Sequence, residues 1–411
     1  MNFDNSTQLF GLEHVYWQLP LVTYPYLSGL VAGSFIVGSL SKVFGLKKFE
    51  PLAKLSVIVT FAFLIGAALS PLAEAWQRER FWELITRDHF PYSPLAMFII
   101  IWIAYVILVL VEMYYIFRPD NIYLAQHARG WRKSWHNLLT FGSRDLSEQA
   151  LKRDHTILII LAGTGIGLAF AFHGYVGFVF GALKARPLWD TPLMPVLFLV
   201  SATVSGIAAM ILVYTLVQGG LGEDPLDIGL MDGLMKLLKW TIFVDLFLDL
   251  IELLTSGVRA YASLPVYRGF SAIFFNGGPL AFNYWVVQIG FLLVAMVMTF
   301  FRPLRQSKWW PNVTALLVLV SVYAMRYNTV IGGELQPKVS QGLVTYTPTW
   351  FGIDSWQVII GLFALVIFLV SLSLLLLPWE RSWTASWAGE EQAAPQPPTI
   401  PAHSTTGQEG V

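Results

Sequence analysis

What most limits how this chain can fold is a succession of nine apolar stretches. They lie at about 19–44, 52–75, 94–117, 155–180, 193–218, 236–257, 279–301, 311–331 and 354–378. Each is long enough to cross a hydrocarbon core of about 30 Å as a helix. The reading is an all-α integral membrane protein of about nine or ten transmembrane helices, the tenth being an irregular, more polar crossing within 258–278. Composition agrees, because only 13% of residues are charged against about 25% in soluble proteins. A formal net charge of +0 argues against nucleic acid as a partner. With 0 cysteines the protein can hold no disulfide, thiolate metal site or iron–sulfur cluster. The start, MNFDNSTQLFGLEH, lacks the basic flank of a cleaved signal, so the first span is expected to be retained.

Lysine and arginine set an expected orientation. The first loop carries Lys47 and Lys48, the third Arg118, Arg129, Arg132, Lys133, Arg144, Lys152 and Arg153, and the seventh Arg302, Arg305 and Lys308. All fall on one side, predicted to be cytoplasmic, which puts the N-terminus in the periplasm and the C-terminus in the cytoplasm. The expected organisation is an external segment at 1–18, a first four-helix bundle at 19–180, a second at 193–331, an extra helix at 354–378 and a disordered tail at 385–411. Within the third loop, WRKSWHNLLTFGSRDLSEQALKRD predicts an amphipathic surface helix with basic and tryptophan anchors.

Polar residues inside these spans are the candidates for chemistry, because hydrocarbon-facing positions rarely tolerate them. The stretch 155–189 pairs Gly163 with Gly167 and Gly177 with Gly181, two faces on which helices can approach closely. Near its far end stand His173 and Tyr175, able to exchange a proton or hydrogen-bond a ligand. The alternative for His173 is a bond to a neighbouring helix. In the sixth span Asp245, Asp249 and Glu252 are spaced by four and three residues, so they share one helical face. This stripe reads as a proton path or coupling-ion site, or as a static network with Arg259, Lys236 or Lys239. Glu112 is a single acid near the end of the third span, and Glu74 ends the second. The external loop that follows is dense in tryptophan, arginine and acid, which suits the docking of another subunit. Arg326, Asn328 and the Gly332–Gly333 pair predict non-helical backbone lining a cavity, with Glu334 as Arg326's partner.

Absences narrow the chemistry. Of the histidines, only His173 lies well within a span, so bis-histidine haem ligation inside the bundle is disfavoured, and P-loop, HExxH and GxSxG motifs are missing.

Several stretches in order then resemble one family, the NrfD-like membrane subunits of the polysulfide reductase group. They are YPYLSGLVAGSF at 24–35, RFWELITRDHFPYSPLAMF at 80–98 and HGYVGFVFGALKARPLWDTPLMPVLFLVSATVSG at 173–206. MRYNTVIGG at 325–333 is similar to a signature of the longer members, which include subunits of the quinone reductase complex of sulfate reducers and alternative complex III. The resemblance covers about 20–378. It implies two four-helix bundles plus extra helices, no covalent or metal cofactor in the subunit, and quinone (menaquinone) as substrate near the outer surface. It also implies a four-cluster ferredoxin-like iron–sulfur subunit docking near 71–93 and 181–192, with molybdopterin-type and/or multihaem cytochrome c subunits beyond it. Tyr175 matches a tyrosine associated with the family's quinone pocket, with His173 before it in the same motif. Glu74 stands where many members carry the acid of a DLGRP-like motif, although EAWQR at 74–78 has neither its glycine nor its proline. Tyr24 and Tyr26 stand on the first helix, which approaches quinone in the family.

The resulting expectation is a quinone-binding subunit of a respiratory oxidoreductase in a bacterial inner membrane. His173, Tyr175, Glu74, Tyr24 and Tyr26 would form the quinone site, and Asp245, Asp249, Glu252 and Glu112 a proton path. Its rivals are a secondary transporter or proton channel built on the acidic stripe, and a passive anchor.

Overall fold

The computed structural model describes residues 14–380 except 76, 88–91, 223–224, 276 and 338–342. The N-terminal segment up to residue 13 and the tail expected at 385–411 lie outside the described residues. Eleven helices order the described protein: α1 Leu19–Phe44, α2 Leu52–Glu74, α3 Pro94–His127, α4 Trp131–Leu139, α5 Glu148–Gly181, α6 Met194–Gly220, α7 Ile228–Ala262, α8 Leu264–Phe274, α9 Asn283–Phe300, α10 Trp310–Leu335 and α11 Trp356–Leu376. One-turn helices at Glu83–Thr86 and Arg302–Arg305 join them. The protein is an all-α integral membrane protein: among the described residues eight helices (α1, α2, α3, α5, α6, α9, α10 and α11) are long and apolar enough to cross a bilayer.

Helix α7 is a different case. Its 35 residues reach about 50 Å, yet it carries charge along its length. Trp240, Phe243, Val244, Phe247, Leu250 and Leu254 are exposed, whereas Asp245 is buried. Apolar outside and acidic inside is the reverse of a helix in water, and it suits a hydrocarbon surround. The tenth crossing expected within 258–278 does not form. Residues 264–274 make an 11-residue helix, about 16 Å long and half the depth of the core.

Helix α1 lies at the centre and packs on α2, α5, α6 and α10. Its backbone closely approaches that of α6, where a Cβ on Gly33 would meet the Ala202 carbonyl oxygen and would come 2.7 Å from the Gly206 Cα. Gly177 and Gly181 do the same work between α5 and the start of α6, against Pro195 and the Thr191 carbonyl. Gly163 and Gly167, expected to form a packing face, have no atom within 4 Å of an added Cβ. Spacing marks both pairs alike; only the tertiary arrangement shows which has a neighbour.

At the basic end the helices outrun their apolar spans. Helix α3 continues to His127, α5 begins at Glu148 and α7 at Ile228. Buried ion pairs that hydropathy does not register hold these extensions. Arg118 pairs with Asp154 and also donates to Ser143 Oγ, and Lys54 meets Asp120 at 2.6 Å. Glu112 is therefore inside α3, well short of its end; it is buried and meets Lys42 of α1 at 3.5 Å. The amphipathic segment forms α4, which hydrogen-bonds α3 through His136 and Asn121 (2.9 Å) and exposes Trp131 and Leu138.

Candidate functional site

His173 stands where α1, α5, α6 and α10 converge, and it is fully buried. Its Nδ1 lies 3.1 Å from Ser28 Oγ, and its Nε2 lies 3.2 Å from Arg326 Nη2. A guanidinium can only donate, so Nε2 accepts; the ring proton then sits on Nδ1 and points to Ser28. Gly29 gives the ring its room, since a Cβ there would lie 3.3 Å from the imidazole. The glycines of α1 thus have separate tasks: Gly29 admits His173 and Gly33 admits α6.

The expected pairing of Arg326 with Glu334 does not form. Instead Arg326 Nη2 donates to Ser201 Oγ at 2.6 Å and to the Phe198 carbonyl at 3.3 Å, its Cζ lies 3.9 Å from the Phe198 ring centroid, and its Nε has no partner. A fully buried guanidinium among dipoles and an aromatic face is costly to desolvate, which leaves it unusually sensitive to nearby charge. Glu334 pairs with Arg186 at 3.0 Å, and Arg186 Nη1 also donates to the Gln336 carbonyl at 2.7 Å. The loop at 181–192, expected to meet a docked subunit, is divided. Its Arg186 and Trp189 turn inward and are buried, while Lys184 and Ala185 face out. Trp189 stacks on Trp17 with centroids 5.1 Å apart and donates to the Thr329 carbonyl at 2.5 Å. The Gly332–Gly333 pair is not a break in the backbone: α10 runs helical through it to Leu335, and the missing Cβ of Gly333 is the space the Trp189 indole occupies.

The remaining predicted residues separate into groups. Tyr24 is partly buried with its ring edge-on to Phe98 at 5.4 Å, and it lies within electrostatic reach of Tyr175, itself partly buried beside Phe178. Tyr26 faces the other way, donating to the Leu319 carbonyl at 3.2 Å with its ring edge-on to Tyr323. Glu74 is buried and accepts the backbone N–H of Gln18 at 2.8 Å and of Leu21 at 2.9 Å, so it caps the start of α1. Beside it an opening of about 290 Å³ is lined by Arg78, Glu79, Ile353 and Asp354. Burial pushes the Asp354 carboxyl up from its ordinary range and Arg78 draws it back.

The acidic face of α7 looks onto a second cavity of about 70 Å³, which Asp249, Glu252, Tyr284, Gln288 and Asn328 help to line. That volume suits about two waters. An amide ladder crosses it: Asn283 Nδ2 donates to Asn328 Oδ1 at 2.7 Å, Asn328 Nδ2 to Gln288 Oε1 at 2.8 Å, and Gln288 Nε2 reaches Asp249 Oδ1 at 3.4 Å. Glu252 accepts from Ser256 at 2.8 Å. Arg259 makes no ion pair with the stripe among the described residues; it donates to the Pro187 carbonyl at 2.9 Å. Lys236 is taken by Asp232 at 2.6 Å. No group of three histidine, aspartate or glutamate side chains suited to a metal occurs among the described residues.

Sequence reasoning misses Ser28, Ser201, Arg186, Trp189 and Gln288. Gln288 has a signal, as an amide inside an apolar span, and so does Trp189, a tryptophan in a short loop; Ser28 and Ser201 have none.

The family model described as "Polysulphide reductase, NrfD" matches residues 7–338. The protein is 29% identical over 377 residues to a selenate reductase subunit of Mesobacillus selenatarsenatis, covering 88% of this sequence and 85% of that one. It is 24% identical over 402 residues to the Hdr-like menaquinol oxidoreductase integral membrane subunit of Archaeoglobus fulgidus (92% and 89%). It is 25% identical over 328 residues to a polysulfide reductase polypeptide of Wolinella succinogenes (78% and 95%). A helical membrane bundle whose matched region contains the buried His173 and Arg326 on adjoining helices belongs to the polysulphide reductase NrfD family, the membrane subunits of quinone-linked oxidoreductase complexes.

Proposed function

We propose that this protein is the quinone-reactive subunit of a respiratory oxidoreductase in a bacterial inner membrane, with its basic loops in the cytoplasm. It would exchange electrons between quinone, menaquinone first, and a four-cluster ferredoxin-like iron–sulfur subunit on the periplasmic face. Molybdopterin-type and/or multihaem cytochrome c subunits would lie beyond that partner. Quinone takes up two electrons and two protons to become quinol, and the electrons come from or go to the partner's clusters. The observation that carries the reading is the buried Ser28–His173–Arg326 relay, which presents an imidazole N–H at the junction of four helices.

In this reading a quinone carbonyl takes the His173 Nδ1–H in place of Ser28 Oγ, on the side where Tyr24 and Tyr175 are neighbours. Tyr26 closes the wall toward α10, and Glu74 exchanges protons with the outer opening. Phe81 and Trp82, about half exposed, and Tyr92, 87% exposed, suit an aromatic docking face near residues 71–93. The first bundle, 19–180, would hold the quinone, and the second, 193–331, the proton path of Asp245, Asp249 and Glu252. Glu112 would serve the cytoplasmic end of the first bundle.

The test uses the assembled complex. His173→Ala and Tyr175→Phe are expected to weaken binding of a quinone analogue and lower quinone-linked turnover; both variants behaving as the parent would overturn the site. The cavity under Asp249 supports a second role in moving protons. Asp249→Asn is then expected to slow proton-coupled turnover of the complex in liposomes, and an unchanged rate with unchanged charge movement makes the stripe structural.

A further inference from the structure

Serine and threonine inside these helices usually spend their hydroxyl on a carbonyl one turn back. Ser39, Ser56, Ser201, Thr203 and Thr215 all do so, at 2.7 to 3.0 Å. Inside the first bundle a group of buried polar atoms breaks that habit. Ser34 Oγ, Ser41 Oγ, Thr60 Oγ1, Tyr105 OH and Glu112 Oε2 have no hydrogen-bond partner, and Ser34, Thr60 and Tyr105 are fully buried. Orphaned buried polar atoms are rare, because each forfeits hydration without return, and a set of them calls for water.

Helix register brings these atoms together. Helices α1 and α2 run antiparallel with Gly38 against Ser56, so one turn further along Ser34 stands opposite Thr60. Helices α1 and α3 are in parallel register, with Phe35 against Tyr105 (centroids 5.6 Å apart) and Lys42 against Glu112 at 3.5 Å. Two rungs result. Ser34, Thr60 and Tyr105 form the upper one, and Ser41 with the Lys42–Glu112 pair forms the lower one. About seven helical residues separate them, roughly 10 Å. Ser28, already bonded to His173 Nδ1, stands about six residues toward the N-terminus from Ser34, roughly 9 Å along the axis of α1 and about 120° around it.

We propose that Ser34, Thr60, Tyr105 and Glu112 line a file of ordered waters in the first bundle, along which protons pass between the Lys42–Glu112 pair and Ser28–His173. No bond is made or broken overall: a proton is taken up at one end and another is released at the other. The path is separate from the acidic stripe of α7, on different helices with different side chains. It rests on the proposed quinone site only for what consumes or supplies the proton at His173.

The experiment uses the full complex, with Thr60→Val and Tyr105→Phe singly and together; each removes a hydroxyl and little volume. Cryo-electron microscopy is expected to show water density against Tyr105 OH, Thr60 Oγ1 and Glu112 Oε2, reduced in the double variant. In liposomes the double variant is expected to bind a quinone analogue within about twofold of the parent and to lose at least about tenfold in quinone-linked turnover, the scale of a broken proton transfer. Dry protein at those three atoms, or a double variant turning over within about twofold of the parent, overturns the file. Waters in place with a parent complex that neither binds nor turns over quinone would leave the file standing and sink the quinone reading instead.

Discussion

Gly33→Ala isolates the contact that holds α1 on α6. The new Cβ would meet the Ala202 carbonyl oxygen and would lie 2.7 Å from the Gly206 Cα. Those are main-chain atoms of a helix, and no rotamer moves them aside. Exchanging glycine for alanine in a helix interior gains up to about 1 kcal/mol from the unfolded state, whereas inserting a methyl into a packed interior costs about 1–3 kcal/mol. Because the obstacle is backbone, the steric cost outweighs the propensity gain, and the expected net loss is about 1–2 kcal/mol. Gly163→Ala is the matched control. Nothing lies within 4 Å of its added methyl, so only the helix-propensity gain of up to about 1 kcal/mol remains. The assay is unfolding in mixed micelles titrated with denaturing detergent and followed by tryptophan fluorescence. Gly33→Ala is also expected to weaken quinone-analogue binding, because α1 carries Ser28 and Gly29 against His173. Equal stability of the two variants would refute the argument that backbone contact decides which glycines matter.

Two further outcomes can be checked in the same preparations. Arg186→Met removes the guanidinium that buried Glu334 meets at 3.0 Å, and breaking a buried pair from one side costs about 3–5 kcal/mol; the Arg186→Met/Glu334→Met double variant is expected to recover most of it, read from a double-mutant cycle. His136 on α4 is held below its ordinary value of 6.5 by burial and then by the charge of Arg132. Its contribution to stability is therefore present above pH 6.5 and lost as pH falls through the lower folded-state value, because the unfolded protein binds the proton first. The unfolding midpoint is expected to fall between about pH 7 and about pH 5, and the profile to flatten in His136→Gln; equal slopes in both proteins contradict this.

The sequence by itself determined that this is an all-α membrane protein, where eight of its apolar helices lie, and that α7 carries its acids on one face. Those conclusions follow from hydrophobicity, length and helical period, which are local properties that lipid acts on directly. The motif order also pointed to the family, and the family model agrees over residues 7–338. Helix ends at the basic side were not legible, since ion pairs such as Arg118 with Asp154 extend the helices past the apolar runs.

Which residue meets which was decided by the tertiary structure alone. Glu334 takes Arg186, and Arg326 takes His173 and Ser201. Gly33 is buried against backbone while Gly163 has open space beside it, although both sit in the same kind of small-residue spacing. The physical reason is that a helix period fixes the face a side chain shares with its neighbours in sequence, and nothing about the helix that will come to lie against that face. His173, Ser28 and Arg326 come from helices far apart in the sequence. Gly29 leaves room for the His173 ring and Gly33 lets α1 meet α6 at backbone distance, and the hydrogen bonds form where those helices converge with α10.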